Sequence, residues 1–135
     1  MYQTYNLSHA DAQKIIAAIQ QKLEQEGKGA AIAVVDAHGE LLAFVRMDGC
    51  RLQPGTIAIH KAFTAAREQK ESKAIGDESR KTGFPMTNYG DPRFITWGGG
   101  VPVVYQAQVV GGVGVSNLPE EEDMVLAALG AGVIG

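Results

Sequence analysis

The stretch that most constrains this chain is residues 95–117, ITWGGGVPVVYQAQVVGGVGVSN. Two valine-rich runs, 101–105 and 109–115, flank the polar interruption Gln106-Ala107-Gln108 and predict two paired strands. Gly98, Gly99 and Gly100 precede the first run, and Gly111, Gly112 and Gly114 break the second. Glycine weakens a strand, so its recurrence marks bulges or places where a helix or a ligand approaches bare backbone. The rest of the chain has to supply whatever lies there.

A phosphate does not fit. A P-loop closes with Gly-Lys-Ser/Thr and opens a helix, whereas Val101-Pro102 here opens a strand. Gly112 and Gly114 are followed at the next dinucleotide-fingerprint position by Asn117, and no dinucleotide-binding pattern surrounds them. A helix fits better. Across residues 54–70, Ala58, Ala62, Ala65 and Ala66 share a broad face with Ile59 and Phe63, and such a face permits unusually close approach. This helix is expected to pack on Gly111, Gly112 and Gly114. Its opposite side carries His60, Thr64 and Arg67, with Lys61 and Glu68 nearby.

The remaining elements follow from periodicity and punctuation. Ser8 with Asp11 resembles a capping box, and Ala12, Ile15, Ile16, Ile19 and Leu23 form an apolar stripe, predicting a helix over 8–26. Residues 30–36 and 41–47 read as a hairpin around Ala37-His38-Gly39-Glu40. A polar, solvent-facing helix is predicted over Ser72–Thr82 and a third strand over 93–97. The aromatic loop 83–91 between them either covers the core or lines a site. The final helix begins near Pro119, with Glu120, Glu121, Glu122 and Asp123 at its positive end.

With 135 residues the chain is expected to form one domain, residues 1–135. The formal charge of −3 excludes nucleic acid and an anionic membrane as principal partners. Cys50 is the sole cysteine, so no intrachain disulfide forms. No signal-peptide pattern opens the sequence and no apolar run spans a bilayer, so a cytoplasmic location is expected.

Few residues stand out chemically. His9, His38 and His60 lack metal-ligand spacing, which disfavours zinc. His60, mid-helix, reads either as a solvated or subunit-contact residue or as a haem axial ligand. Arg46 and Arg51 flank Cys50 in sequence and tend to lower its pKa, yet no histidine lies nearby to act as a base. No paired carboxylates, serine elbow or Cys-His motif emerges. The residues by themselves stop at a small α/β domain with a glycine-lined surface.

Four stretches in order carry a resemblance: AVVDAHGELLAFVRMDG (33–49), IAIHKAFTA (57–65), GGGVPVV (98–104) and VVGGVGVSN with PEEED (109–123). Together they are similar to the GlcG/HbpS family, which includes the C-terminal domain of PduO-type corrinoid adenosyltransferases. The resemblance implies an α+β, profilin-like fold, three layers α/β/α with a five-stranded antiparallel sheet flanked by helices. It implies a homo-oligomer that binds a small ligand, haem or a related tetrapyrrole, and serves glycerol, diol or glycolate metabolism, with a metabolic enzyme as a further partner. The region it marks for ligand binding is His60, Lys61, Gly98, Gly99, Gly100, Val101 and Pro102, with His60 as the metal ligand. No catalytic set transfers, and the reading leans away from an enzyme. Its alternatives are an enzyme acting on haem or on a small organic acid or aldehyde, with Arg46, Arg93 and Lys61 as carboxylate-binding groups, and a non-catalytic assembly factor. Gln106-Ala107 departs from the family pattern by standing where an Asp-Gly type turn is usual.

Overall fold

Residues 1–134 are described by a computed structural model. Helix α1 (His9–Gln25) starts at the expected capping box: the Asp11 amide donates to Ser8 Oγ at 3.1 Å and the Ser8 amide to Asp11 Oδ2 at 3.0 Å. Strands β1 (Ala31–Asp36) and β2 (Leu41–Arg46) form the first hairpin. Helices α2 (Gln53–Glu68) and α3 (Ser72–Thr82) follow, then a 3₁₀ turn over Met86–Tyr89. The second hairpin, β3 (Gly100–Tyr105) and β4 (Gln108–Ser116), leads to α4 (Glu120–Ala131).

The architecture is α+β, with one antiparallel sheet of four strands in the order β2-β1-β4-β3. The β1–β4 pair joins the two hairpins, with Ala33 opposite Gly114 and Val35 opposite Gly112. Alternation along β1 sends Ala31, Ala33 and Val35 to one face, against Ala58, Ala62 and Ala66 of α2. Ile32 and Val34 point to the other, where Ile15, Ile19 and Leu23 of α1 and Leu126 and Ala127 of α4 complete the larger core.

The fifth strand is absent among the described residues, because 93–97 finds other partners for its backbone. The Ile95 amide donates to Thr64 Oγ1 at 2.9 Å, and that hydroxyl donates to the Arg93 carbonyl at 3.4 Å. Asp91 folds the segment's start into a turn, accepting from the Arg93 amide at 3.0 Å and from its guanidinium at 2.8 Å. The segment therefore lies across α2 and buries Thr64 completely. The side of α2 that carries Thr64 is thus covered at that residue, while His60 stays half-buried and Arg67 exposed. Helix α3 is also less exposed than its polarity suggests, since Ser72, Ile75 and Gly76 are buried.

Two strand glycines perform the expected role and one does not. A Cβ on Gly112 would lie 2.5 Å from the Ala62 carbonyl oxygen, and one on Gly114 would lie 2.0 Å from that of Ala58. Here helix backbone meets strand backbone. Gly111 faces the opposite way, where a Cβ would meet Leu7 Cδ1 at 2.4 Å. The β3–β4 turn places Gln106 and Ala107 at φ +48° and +62°, both left-handed, as in a type I′ turn.

Two stability outcomes follow, both readable by urea denaturation. Gly114→Ala overpacks the α2 contact and is expected to destabilise by about 3 kcal/mol, the upper end for core overpacking. Replacing Gln106-Ala107 by Asn-Gly relieves left-handed strain and is expected to stabilise by about 1 kcal/mol. An unchanged midpoint in either variant contradicts the corresponding geometry.

Candidate functional site

The polar centre of the molecule is a buried ion pair between α2 and α4. Lys61 Nζ donates to Asp123 Oδ2 at 3.2 Å and to the Val115 carbonyl at 2.9 Å, and the two side chains are 3% and 4% exposed. Asp123 Oδ1 accepts from the Leu118 amide at 3.2 Å, fixing the entry into α4, whose N-cap position is Pro119 with no side-chain cap. Burial lowers the Lys61 pKa, partly offset by Asp123. Burial likewise raises Asp123 to about 6, against the opposing pull of Lys61. Desolvation outweighs mutual attraction on both partners.

The glycine triplet closes over this pair. Gly99, at φ +119°, passes so close that a Cβ there would lie 2.9 Å from Lys61 Nζ. A Cβ on Gly100 would meet the Lys61 carbonyl oxygen at 2.3 Å, and one on Gly98 would meet Met124 Sδ at 2.6 Å. Several backbone groups of the triplet are already engaged. The Gly98 amide donates to Glu120 Oε2 at 2.9 Å and the Gly100 amide to Ser72 Oγ at 2.9 Å, while the Gly99 carbonyl accepts from the Val115 amide at 2.9 Å. Two of the three triplet amides are thus spent inside the molecule, so the amides do not converge on an anion as in a phosphate loop.

Beside the pair opens a groove of about 490 Å³, bordered by Arg51, Ile57, Lys61, Trp97, Ser116 and Glu120 among others. Its mouth is set by Arg51, whose Nε donates to Asn117 Oδ1 at 3.1 Å, while Asn117 Nδ2 donates to the Gly29 carbonyl at 2.9 Å. Asn117 holds φ +120°, a conformation that L-residues rarely adopt.

The residues singled out from sequence divide into separate places. Lys61, Gly98, Gly99 and Gly100 meet at the ion pair. Val101 packs on the α1/α4 core from β3, and Pro102 sits opposite Gly112 in the same edge strand. His60, next to Lys61 in sequence, is half-buried on the other side of α2. Burial and the Arg93 charge lower its pKa, with Asp91 partly opposing, so the imidazole is neutral near pH 7. Arg46 lies exposed on the edge strand β2, opposite Ala31. Its charge and that of Arg51 are felt at Cys50, but burial is stronger and raises the Cys50 pKa, so the thiol is unreactive. Arg93 is locked to Asp91 and stacks 4.1 Å over the Phe63 ring. Among the described residues no group of three or more His, Cys, Asp or Glu side chains is arranged for a metal ion. No helix among them is long and apolar enough to cross a membrane.

Sequence reading missed Asp123, Arg51 and Asn117 as site residues. The signal for Lys61 was its place at the edge of the alanine face, three residues after Ala58 and one before Ala62. Asp123 sat unnoticed in an acidic run explained by the helix dipole.

The HbpS-like family model, described as haem-degrading protein HbpS-like, matches residues 7–131. Protein GlcG of Escherichia coli K12 is 39% identical over 116 residues, covering 82% of this chain and 81% of its own. The crystal structure of a Streptomyces reticuli HbpS double mutant superposes with TM-score 0.89 at 29% identity, covering 100% of this chain and 91% of that one. The crystal structure of a PduOC–haem complex superposes with TM-score 0.87 at 24% identity, covering 96% of each chain, a likeness of fold.

The ion pair yields a direct test. Lys61→Met strands a buried carboxylate and is expected to cost about 3–5 kcal/mol, whereas Lys61→Met with Asp123→Leu is expected to regain most of it. By NMR, the Asp123 carboxyl should titrate near pH 6 in the wild type and higher in Lys61→Met. Because the folded state binds this proton more tightly than the unfolded chain, its stabilisation is complete below the ordinary value of 3.8 and is lost as pH rises through about 6. A wild-type midpoint near 4 contradicts the burial argument.

Proposed function

We propose, because the chain belongs to the HbpS-like family, that it is a binding protein for haem or a related tetrapyrrole, with His60 as the axial ligand. The observation that carries the reading is the family match over residues 7–131. The likeness to PduOC, a protein solved with haem, supports it. On this chain, the half-buried, neutral imidazole of His60 is in the protonation state that coordinates iron. Ile57, one turn earlier on α2, and Pro92, Phe94 and Met86 in the neighbouring loop offer apolar surface for a macrocycle. Asp91, whose charge reaches His60, borders that loop pocket. The residues present fit the group to that extent. When bound, the haem iron supplies the redox chemistry; the chain holds the ring and orients the imidazole.

His60 is half-buried, so one chain would cover one face of a flat ligand. Leu52, Phe44 and Trp97 are exposed at 75%, 40% and 58%. We take this apolar surface as the place where a second copy completes the enclosure, giving a homo-oligomer. A cytoplasmic location, a metabolic partner enzyme and service to glycerol, diol or glycolate metabolism belong to the same proposal. Turnover of the bound haem is the second reading, favoured by the family's description as haem-degrading.

Haemin titration tests both. A saturable Soret shift is expected at micromolar protein, lost or displaced in His60→Ala, and a decay of that band under a reductant and oxygen would establish turnover. A wild-type protein without a saturable shift removes haem from the proposal, and a shift identical in His60→Ala removes His60.

A further inference from the structure

The tetrapyrrole reading uses only the apolar rim of the groove beside the ion pair, at Ile57 and Trp97, and leaves its polar groups without a role, yet these are arranged for a ligand. Ser116 is only 5% exposed, and its hydroxyl makes no hydrogen bond to any described residue. No fully enclosed side-chain nitrogen or oxygen lacks a partner among the described residues, so the Ser116 hydroxyl is the part of that residue that reaches the groove. Lys61 carries three donor hydrogens and spends two, on Val115 and Asp123. At the mouth, the Arg51 guanidinium is held through Nε by Asn117, leaving both terminal nitrogens without a partner among the described residues. Glu120 completes the lining: its Oε2 accepts from the Gly98 amide and its Oε1 lies 3.7 Å from Lys73 Nζ, and these hold its carboxylate below the usual range, charged at neutral pH.

We infer that this groove binds a small carboxylate bearing a hydrogen-bond donor, a hydroxyl or an amino group, on the adjacent carbon. The lining dictates the class. Arg51 presents a free fork that matches a carboxylate. The Ser116 hydroxyl and the remaining Lys61 hydrogen add donors at the floor, where low dielectric strengthens each bond. Glu120 is an acceptor facing the same space and repels a simple anion unless the ligand also brings a donor. A dianion would place its second charge against Glu120, and an apolar ligand would leave Ser116 unpaired. The volume of about 490 Å³ lies within the ~300–1,000 Å³ range of small-molecule sites. Asn117 is a positioning residue, since its side chain ties Arg51 to the Gly29 carbonyl and it holds the rare φ of +120° to do so.

Calorimetric titration with lactate, alanine and propionate, followed by amide NMR, tests the assignment. Saturable binding is expected for lactate and alanine, with propionate weaker by about tenfold or more, the worth of one hydrogen bond to a charged acceptor. Shifts should centre on Gly98, Ser116 and Asn117. Arg51→Gln, at an exposed position whose loss leaves the core intact, should abolish binding, and Arg51→Lys should retain a weakened form. Ser116→Ala should weaken lactate and propionate alike, whereas Glu120→Gln should narrow the difference between them. Absence of saturation for lactate and alanine, equal affinity for propionate, shifts centred on loop 86–94, or unchanged binding in Arg51→Gln would each overturn the inference.

Discussion

Backbone-to-backbone contact between α2 and β4 sets the geometry on which everything else rests. Ala58 and Ala62 present small side chains and bare carbonyls, and Gly112 and Gly114 present no side chain at all, so helix and strand approach within van der Waals distance. That spacing fixes how deep α2 sits on the sheet. The depth in turn carries Lys61, at the edge of the alanine face, inward to the Val115 carbonyl on the next stretch of β4. A bulkier residue at either glycine would lift the helix and withdraw the ammonium from its acceptors.

A lysine brought this deep needs a counter-charge, and α4 supplies it. Asp123 neutralises Lys61 and also accepts from the Leu118 amide, so one carboxylate balances the buried cation and steers the chain into the last helix. The pair stabilises only as a pair, because each charge alone carries a desolvation cost that its partner offsets. Helices on opposite faces of the sheet are thereby coupled around the end of β4. Ser72 on α3 joins the same region, accepting from the Gly100 amide and donating to the Trp97 carbonyl at 2.7 Å.

What could be read from residues alone was whatever depends on near neighbours. The Ser8–Asp11 box, the α1 stripe, the first hairpin and the alanine face are all local patterns, and each is present. Residues 93–97 read as a strand because Phe94, Ile95 and Thr96 have strand-like side chains, whereas the Ile95 amide and the Arg93 carbonyl are claimed by Thr64, about thirty residues earlier. Lys61 reads as an outward residue because lysine is almost never fully buried unless paired, and its partner lies 62 residues away. Gly111 was grouped with Gly112 and Gly114 although period-two alternation sends it to the other face, toward Leu7. The motifs that carry the family resemblance are legible in the sequence, and the helical alanines and strand glycines among them touch in the fold.

The glycine triplet shows why composition misleads about ligands. In a phosphate loop, glycines free the amides so that they converge on an anion. Here Gly98 and Gly100 spend their amides on Glu120 and Ser72, and the absent side chains make room for Lys61 and Met124. The triplet is a lid over an internal charge. The anion recognition inferred for the groove rests instead on side chains, Arg51 at its mouth and Ser116 and Lys61 at its floor. Because Glu120 is tied down by the triplet itself, the same glycines that seal the ion pair also fix the acceptor that decides which carboxylates can enter.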